Sequence, residues 1–307
     1  MYNVGIIGCG AIFNRHVLSI KENKNFKLRA ICDIDKNIVE DLSKSLNVKY
    51  YTDHKDLSMD PDIDFVVIAS PNYFHYDHAI TALKNSCDVL IEKPVSFEVK
   101  DLISIEETAK KNNRKAYCVL QVRLNKSVKI VQEALGKNLL GEIRGVSFVQ
   151  RWQRPYEYFS GWRNSVKIGG GTLYEVGVHY LDILQIFFGV PDIVATKVYK
   201  TKHKNSNIED TIYSIFDYGS FGGTAEITVS AEPKNLECSI QILGSNGYLK
   251  IGGKALNIIE TYNFLSNGAK VKFEQILSDN KISDSVFHAQ IIATFMKILK
   301  ILNYLKL

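Results

Sequence analysis

The chain has 307 residues, 46% hydrophobic and 23% charged, with a formal net charge of +5. That length suits two domains of ordinary globular composition. Scattered lysines and a mild positive balance exclude an extended nucleic-acid surface and suit a small anionic substrate. No apolar run is long enough to span a bilayer, so stable membrane insertion is not expected.

The chain opens on the apolar run Val4-Gly5-Ile6-Ile7 and reads as having no signal peptide. Gly8-Cys9-Gly10-Ala11-Ile12 follows, and a second apolar run, 28–32, closes on Asp33. This is a strand, a glycine turn, a helix, a second strand and a carboxylate, the order a dinucleotide needs. Gly8 allows the turn, and Gly10 lets backbone amides approach the pyrophosphate. The helix start at Ala11 and Ile12 offers N–H groups, and Asp33 accepts from the ribose hydroxyls. Phe13 stands where the fingerprint's third glycine would be, which alters helix–strand packing and leaves the anion site intact. The plain alternative is a tight βα turn that binds no nucleotide.

Beyond Asp33 the pattern continues as helix 36–46, strand 64–69, helix 75–85, strand 88–92, helix 99–112 and strand 116–120. Short apolar strands alternating with helices imply a parallel sheet covered on both faces. Ligands on such sheets bind beyond the carboxyl ends of the strands. Those ends carry Gly8, Asp33, Ser70-Pro71-Asn72, Glu92-Lys93 and Gln121. Pro94 fixes the chain's exit after Lys93, and the peptide before a proline is the one most apt to be cis. His75, at a helix start, is set to face the nicotinamide end. His75 and His78 have metal-ligand spacing but no third ligand, so no metal is expected.

The second part changes texture. Helix 126–135 leads to strands at 144–151, 192–200, 210–217, 222–232, 237–244 and 248–251. This pattern predicts a large, mostly antiparallel open sheet with one face on helices and one free. The expected domains are 1–121, binding dinucleotide, and 122–307, binding substrate and pairing subunits through the sheet into a homodimer or homotetramer. Between the first two strands lies Gly169-Gly170-Gly171, which can let a loop pass close to a ligand, ahead of a helix over 173–188. Glu175 and His179 are four apart and share a helix face, so a carboxylate could hold the imidazole tautomer. Thr172-x-x-Glu175 reads equally well as a capping box, and His179 as a satisfied core histidine. The segment 289–307 carries a lysine stripe and reads as a helix packed on the body or a sister subunit. Five scattered cysteines without a Cys-x-x-Cys suggest reduced thiols and a cytoplasmic protein.

Taken together, Gly8-Cys9-Gly10-Ala11-Ile12, Ser70-Pro71-Asn72 with His75, Glu92-Lys93-Pro94 and Gly169-Gly170-Gly171 ahead of Gly177-x-His179-x-x-Asp182 resemble the Gfo/Idh/MocA oxidoreductases. The resemblance covers nearly the whole chain. It implies an N-terminal Rossmann domain, a C-terminal α/β domain, and hydride transfer between a sugar-like alcohol and a nicotinamide. Lys93 and His179 match that family's catalytic lysine and histidine, while Glu175 stands where the family often has Asp. The segments 69–75, 92–95 and 120–124 resemble the nucleotide-sugar branch, which oxidises the 3-hydroxyl of UDP-N-acetylglucosaminuronic acid for surface polysaccharides. The diphosphate and carboxylate of such a substrate would find donors in Arg123, Arg151, Arg154, Arg163 and Lys167, unless these serve as structural ion pairs.

These residues set the expected chemistry. NAD is preferred over NADP, because Asp33 would face a 2′-phosphate. An imidazole titrates near 6.5 and is already a base at neutral pH, whereas a lysine, near 10.4, must first be lowered. His179 is therefore the expected base, and Lys93 the hydroxyl-orienting donor and relay. The other readings are oxidation or reduction of a free sugar, inositol or keto-sugar, and a non-enzymatic NAD-binding regulator.

Overall fold

The computed structural model describes residues 1–280, and the chain divides into two compact units after Leu120. The lysine-striped segment 289–307 lies outside the described residues.

The first unit is a six-stranded sheet built from β1 (Tyr2–Ile7), β2 (Phe26–Cys32), β3 (Lys49–Tyr51), β4 (Phe65–Ile68), β5 (Asp88–Ile91) and β6 (Ala116–Cys118). The spatial order is β3-β2-β1-β4-β5-β6, and every neighbouring pair is parallel. The linking helices are α1 (Phe13–Lys21), α2 (Lys36–Leu46), α3 (His54–Met59), α4 (His75–Lys84) and α5 (Val99–Lys111). Strands buried on both faces read as continuous apolar runs, because successive side chains feed opposite layers. In β4, Val67 joins the layer of Phe13, Val17 and Ile20, while Val66 and Ile68 join that of Ala79, Leu83 and Ile105. The order reverses at β1 and β4, so the ends of β1, β2, β4 and β5 surround one crevice.

The second unit begins with α6 (Lys126–Gly136) and a seven-stranded sheet. Its strands are β7 (Ile143–Arg151), β8 (Ile193–Tyr199), β9 (Thr211–Asp217), β10 (Gly222–Thr228), β11 (Glu237–Gly244), β12 (Gly247–Gly252) and β13 (Ile258–Phe264). The order is β13-β12-β11-β7-β10-β9-β8, antiparallel except where β10 meets β7. The inner face, with Phe148, Ile227, Ile240 and Leu249, packs on α6, on α7 (Val178–Phe188) and on α8 (Asn267–Asn280). On the outer side Tyr213 and Ile215 are exposed, as is every residue of β8. The fold is thus α/β, a Rossmann sheet plus a mostly antiparallel one.

The pattern reading missed β3, α3, β13 and α8, and it ran β10 to residue 232. β10 ends at Thr228, and past it only single contacts continue the pairing. Val229 N–H donates to the Asp210 carbonyl, and Ser230 makes an isolated bridge with Gln153. All five cysteines are free thiols, and burial pushes Cys9, Cys32 and Cys238 up to about 12.

Phe148 is fully buried and stacks on Tyr180 at 5.3 Å between centroids. Phe148→Ala is expected to cost about 3–5 kcal/mol of stability. Urea unfolding followed by circular dichroism reads this, and an unchanged midpoint would contradict the core assignment.

Candidate active site

The first unit builds its site at four strand ends. Gly8 sits at φ +100°, and a Cβ there would lie 2.5 Å from the Ser70 nitrogen. Only glycine lets the end of β1 run this close to the end of β4. A Cβ at Gly10 would meet no atom within 4 Å, so the turn is open where a pyrophosphate would approach. Asp35 and Asp53 cap α2 and α3 with their side chains. No side chain caps α1, and its first turn holds no acid. Its positive end, opening at exposed Ala11 and half-buried Ile12, is left to an anion. Phe13, in the third-glycine position, is buried in the layer against β1.

Asp33 does two jobs. Cys9 N–H donates to Asp33 Oδ2 at 2.8 Å, and Asp35 N–H donates to Oδ1 at 3.1 Å. A carboxylate has about four acceptor positions, so half remain for ribose hydroxyls. The open turn, the uncapped helix and this carboxylate together fit a dinucleotide.

The remaining strand ends are tied to one another. His75 is buried, its Nδ1 2.7 Å from the Pro94 carbonyl and its Nε2 2.9 Å from the Ser70 carbonyl. Burial pushes its pKa down, against the pull of those carbonyls and of Glu92. His75 therefore acts on the site by holding the loops after β4 and β5, which corrects the expectation that its ring faces the nicotinamide. His78 is hydrogen-bonded to Ser70 Oγ at 3.0 Å, and burial and the nearby His54 push its pKa to about 3. Glu92 accepts from His16 Nε2 of α1 at 2.9 Å, which ties β5 to the glycine-turn helix. Pro71 and Lys93 are half-buried, Asn72 is buried, and the Lys93–Pro94 peptide is cis. Among the described residues no cluster of three His, Cys, Asp or Glu side chains could hold a metal.

In the second unit the structure sorts the candidate cations. Arg123, in the 3-10 turn Gln121–Leu124, donates to Asp182 through Nε at 2.7 Å and through Nη2. Arg163 donates to Glu175 at 3.0 Å. Arg151 forks onto Glu226 at 2.7 and 2.6 Å and reaches Glu237. These three are committed to carboxylates, as the ion-pair alternative in the sequence reading has it. Lys167 is exposed. Arg154 differs: its guanidinium lies 4.9 Å from the Trp152 ring centroid and 5.3 Å from that of Tyr158. Its hydrogen bond goes to the Gln153 carbonyl, and among the described residues no carboxylate pairs with it. Gln121, at the same turn as Arg123, has a buried Oε1 with no donor among the described residues.

His179 lies in α7, half-buried, two residues past a π turn at Leu173–Gly177. The capping-box reading fails, since Thr172 Oγ1 donates to the Glu209 carbonyl at 2.9 Å. The glycines do permit a close approach, but to protein. A Cβ at Gly170 would lie 2.3 Å from the Arg163 carbonyl, and one at Gly171 2.9 Å from Glu209. Pattern reading also missed the Asp210 anchor. This buried carboxylate accepts from the backbone N–H groups of Thr201, Lys202 and His203 and from two threonine hydroxyls. His203 in turn bonds the Pro155 carbonyl at 3.1 Å, at the root of the aromatic turn Tyr156–Phe159.

Both units match known proteins. Residues 2–120 match the family model for the NAD-binding Rossmann fold of the GFO_IDH_MocA oxidoreductases, and residues 128–250 match a C-terminal domain model of the same family. Glucose-6-phosphate 3-dehydrogenase of Bacillus subtilis is 26% identical over 244 residues, 78% of this chain and 69% of that protein. The match spans 53 to 69% of the length of the first four curated relatives. The WlbA dehydrogenase of Bordetella pertussis, solved with NADH and UDP-GlcNAcA, shares the fold with a TM-score of 0.89 at 24% identity, covering 98% of this chain and 87% of that one. The Chromobacterium violaceum WlbA, solved with the same pair, gives 0.84 at 26% identity, covering 95% and 85%.

Two outcomes follow from the site geometry. Gly8→Ala should abolish NADH binding, read by fluorescence titration, because its Cβ would collide with the Ser70 backbone; wild-type affinity would contradict this. For Asp210, burial raises the pKa, but the backbone donors of Thr201 and His203 and the threonine hydroxyls outweigh it, and the net shift is downward. Its stabilisation is full above the ordinary carboxylate pKa of about 3.9 and is lost as pH falls below that. Asp210→Asn should flatten the stability-versus-pH curve on that acid side, and an unaltered curve would contradict the anchor.

Proposed function

The chain belongs to the Gfo/Idh/MocA oxidoreductases, and from that membership we propose that it oxidises a secondary hydroxyl of an anionic nucleotide sugar, with the 3-hydroxyl of a UDP-N-acetylglucosaminuronic acid as the leading substrate. Arg154 carries this reading. It is a half-buried guanidinium, held between two aromatic rings, with no carboxylate of its own among the described residues. Stacking fixes its plane, and the N–H groups beyond those given to the Gln153 carbonyl can meet a phosphate or carboxylate. The company of WlbA dehydrogenases crystallised with a nucleotide sugar supports the same substrate class.

NAD, when bound, supplies the hydride acceptor. Gly8, Gly10 and the start of α1 receive its pyrophosphate, and Asp33 takes the ribose hydroxyls. His179 is the base for the hydroxyl proton, and Lys93 is the hydroxyl-orienting donor and proton relay. Glu175 and Asp182 flank His179 along the helix and act through their arginines. The outer sheet face, with exposed Ile193, Tyr213 and Ile215, pairs with a second copy of the chain.

Initial rates on UDP-N-acetylglucosaminuronic acid, free glucose 6-phosphate and myo-inositol test the substrate. We expect His179→Ala and Lys93→Ala to lower kcat by about 10² or more. Arg154→Ala should raise KM for the nucleotide sugar about tenfold or more. Turnover confined to the uncharged polyol would overturn the anionic-substrate reading, and NADH binding without turnover on any of the three would favour a regulator. Ile215→Glu should lower the assembly size read by light scattering, and an unchanged mass would exclude the sheet face as interface.

A further inference from the structure

The helix that bears His179 lacks the usual means of fixing its start. Neither Thr172 nor Gly177, at the N-cap positions, supplies a side-chain cap, and the first turn is a π turn. Such turns are frequent at functional sites. Two arginine–carboxylate pairs meet this helix on either side of His179. Four residues before it, Glu175 accepts from Arg163, whose guanidinium also lies over the Trp162 ring at 4.7 Å and the Tyr158 ring at 5.5 Å. Three residues after it, Asp182 accepts both arms of Arg123. The Glu175 and Asp182 side chains are only 9% and 12% exposed, so both pairs are shielded from water on their carboxylate side. An ordinary surface ion pair contributes little; the forked Arg123–Asp182 bond to a shielded carboxylate fixes both angle and distance, and the single Arg163–Glu175 bond adds a second tether.

The two arginines come from different stretches of chain. Arg163 belongs to the 3-10 turn Gly161–Asn164, which the Gly170 backbone touches. Arg123 belongs to the turn that opens the second unit directly after β6. We propose that Arg123–Asp182 and Arg163–Glu175 form a two-sided clamp that sets the position and rotation of the His179 helix, and that these four are positioning residues for proton removal. This rests on His179 being the base. The clamp also gives Glu175 a role that needs no proton transfer, because its carboxylate is held by a guanidinium. A misplacement of about 1 Å at a catalytic group can cost about 10² in rate, so a loosened clamp should appear in kcat.

The test uses the full-length protein with saturating NAD. Asp182→Asn and Arg123→Ala should each lower kcat about tenfold or more while the Kd for NADH stays within about twofold. The exchanged pair Arg123→Asp with Asp182→Arg should recover part of that loss, which a generally weakened fold would not. Hydrogen exchange across 176–184 should rise in each single variant and fall back in the exchanged pair. Rates within twofold of wild type in both singles, or exchange unchanged in 176–184, would overturn the clamp. His179→Ala, run alongside, separates the premises: full activity in that variant sinks the base assignment, while the exchange data still decide the clamp.

Discussion

A backbone approach too tight for any side chain underlies the cofactor half of this molecule. The end of β1 passes against the Ala69–Ser70 backbone, and Gly8 alone allows it. Once those strand ends are in register, the glycine turn opens outward, α1 starts uncapped, and Cys9 N–H falls on the Asp33 carboxylate. That last bond joins the turn to the end of β2, so the residue suited to ribose also holds the loop suited to pyrophosphate. Cofactor geometry and fold geometry are here one set of contacts.

The neighbouring strand ends are cross-braced by histidines. His75 sits between the loops after β4 and β5 with its ring nitrogens against two backbone carbonyls, one of which its single N–H can bond, and His16 links α1 to Glu92. Lys93 follows Glu92 directly, so its main chain is held by residues from three elements. In the second unit the same economy is reached with arginines. Among the described residues Arg123, Arg151 and Arg163 are committed to carboxylates, whereas Arg154 is fixed by aromatic rings.

The parallel sheet was legible because each of its features is local: an apolar run, a glycine pair, a carboxylate at a strand end. The short β3 and α3 were not, because three to six residues carry too little period to read. The roles of the arginines were hidden for a different reason. Arg123 and Asp182 are 59 residues apart, and Arg151 and Glu226 are 75 apart, so nothing in the spacing reveals the pairing. The Thr172-x-x-Glu175 motif shows the opposite hazard. Its residues suit a local cap, yet the threonine hydroxyl turns to Glu209, 37 residues away, and the π turn replaces the regular first turn. Glycine-rich Gly169-Gly170-Gly171 likewise announced a close approach correctly, while the neighbour it accommodates is the Arg163 carbonyl.

The central claim is that a carboxylate already fixed by the glycine turn selects the cofactor. Two like charges about 4 Å apart repel by about 4 kcal/mol at an effective dielectric near 20, a factor of about 10³. Parallel fluorescence titrations of the wild-type protein with NADH and NADPH measure this directly. NADH should bind about a thousandfold more tightly; equal affinities would mean that Asp33 does not face the ribose, and the account of the site would fail with it.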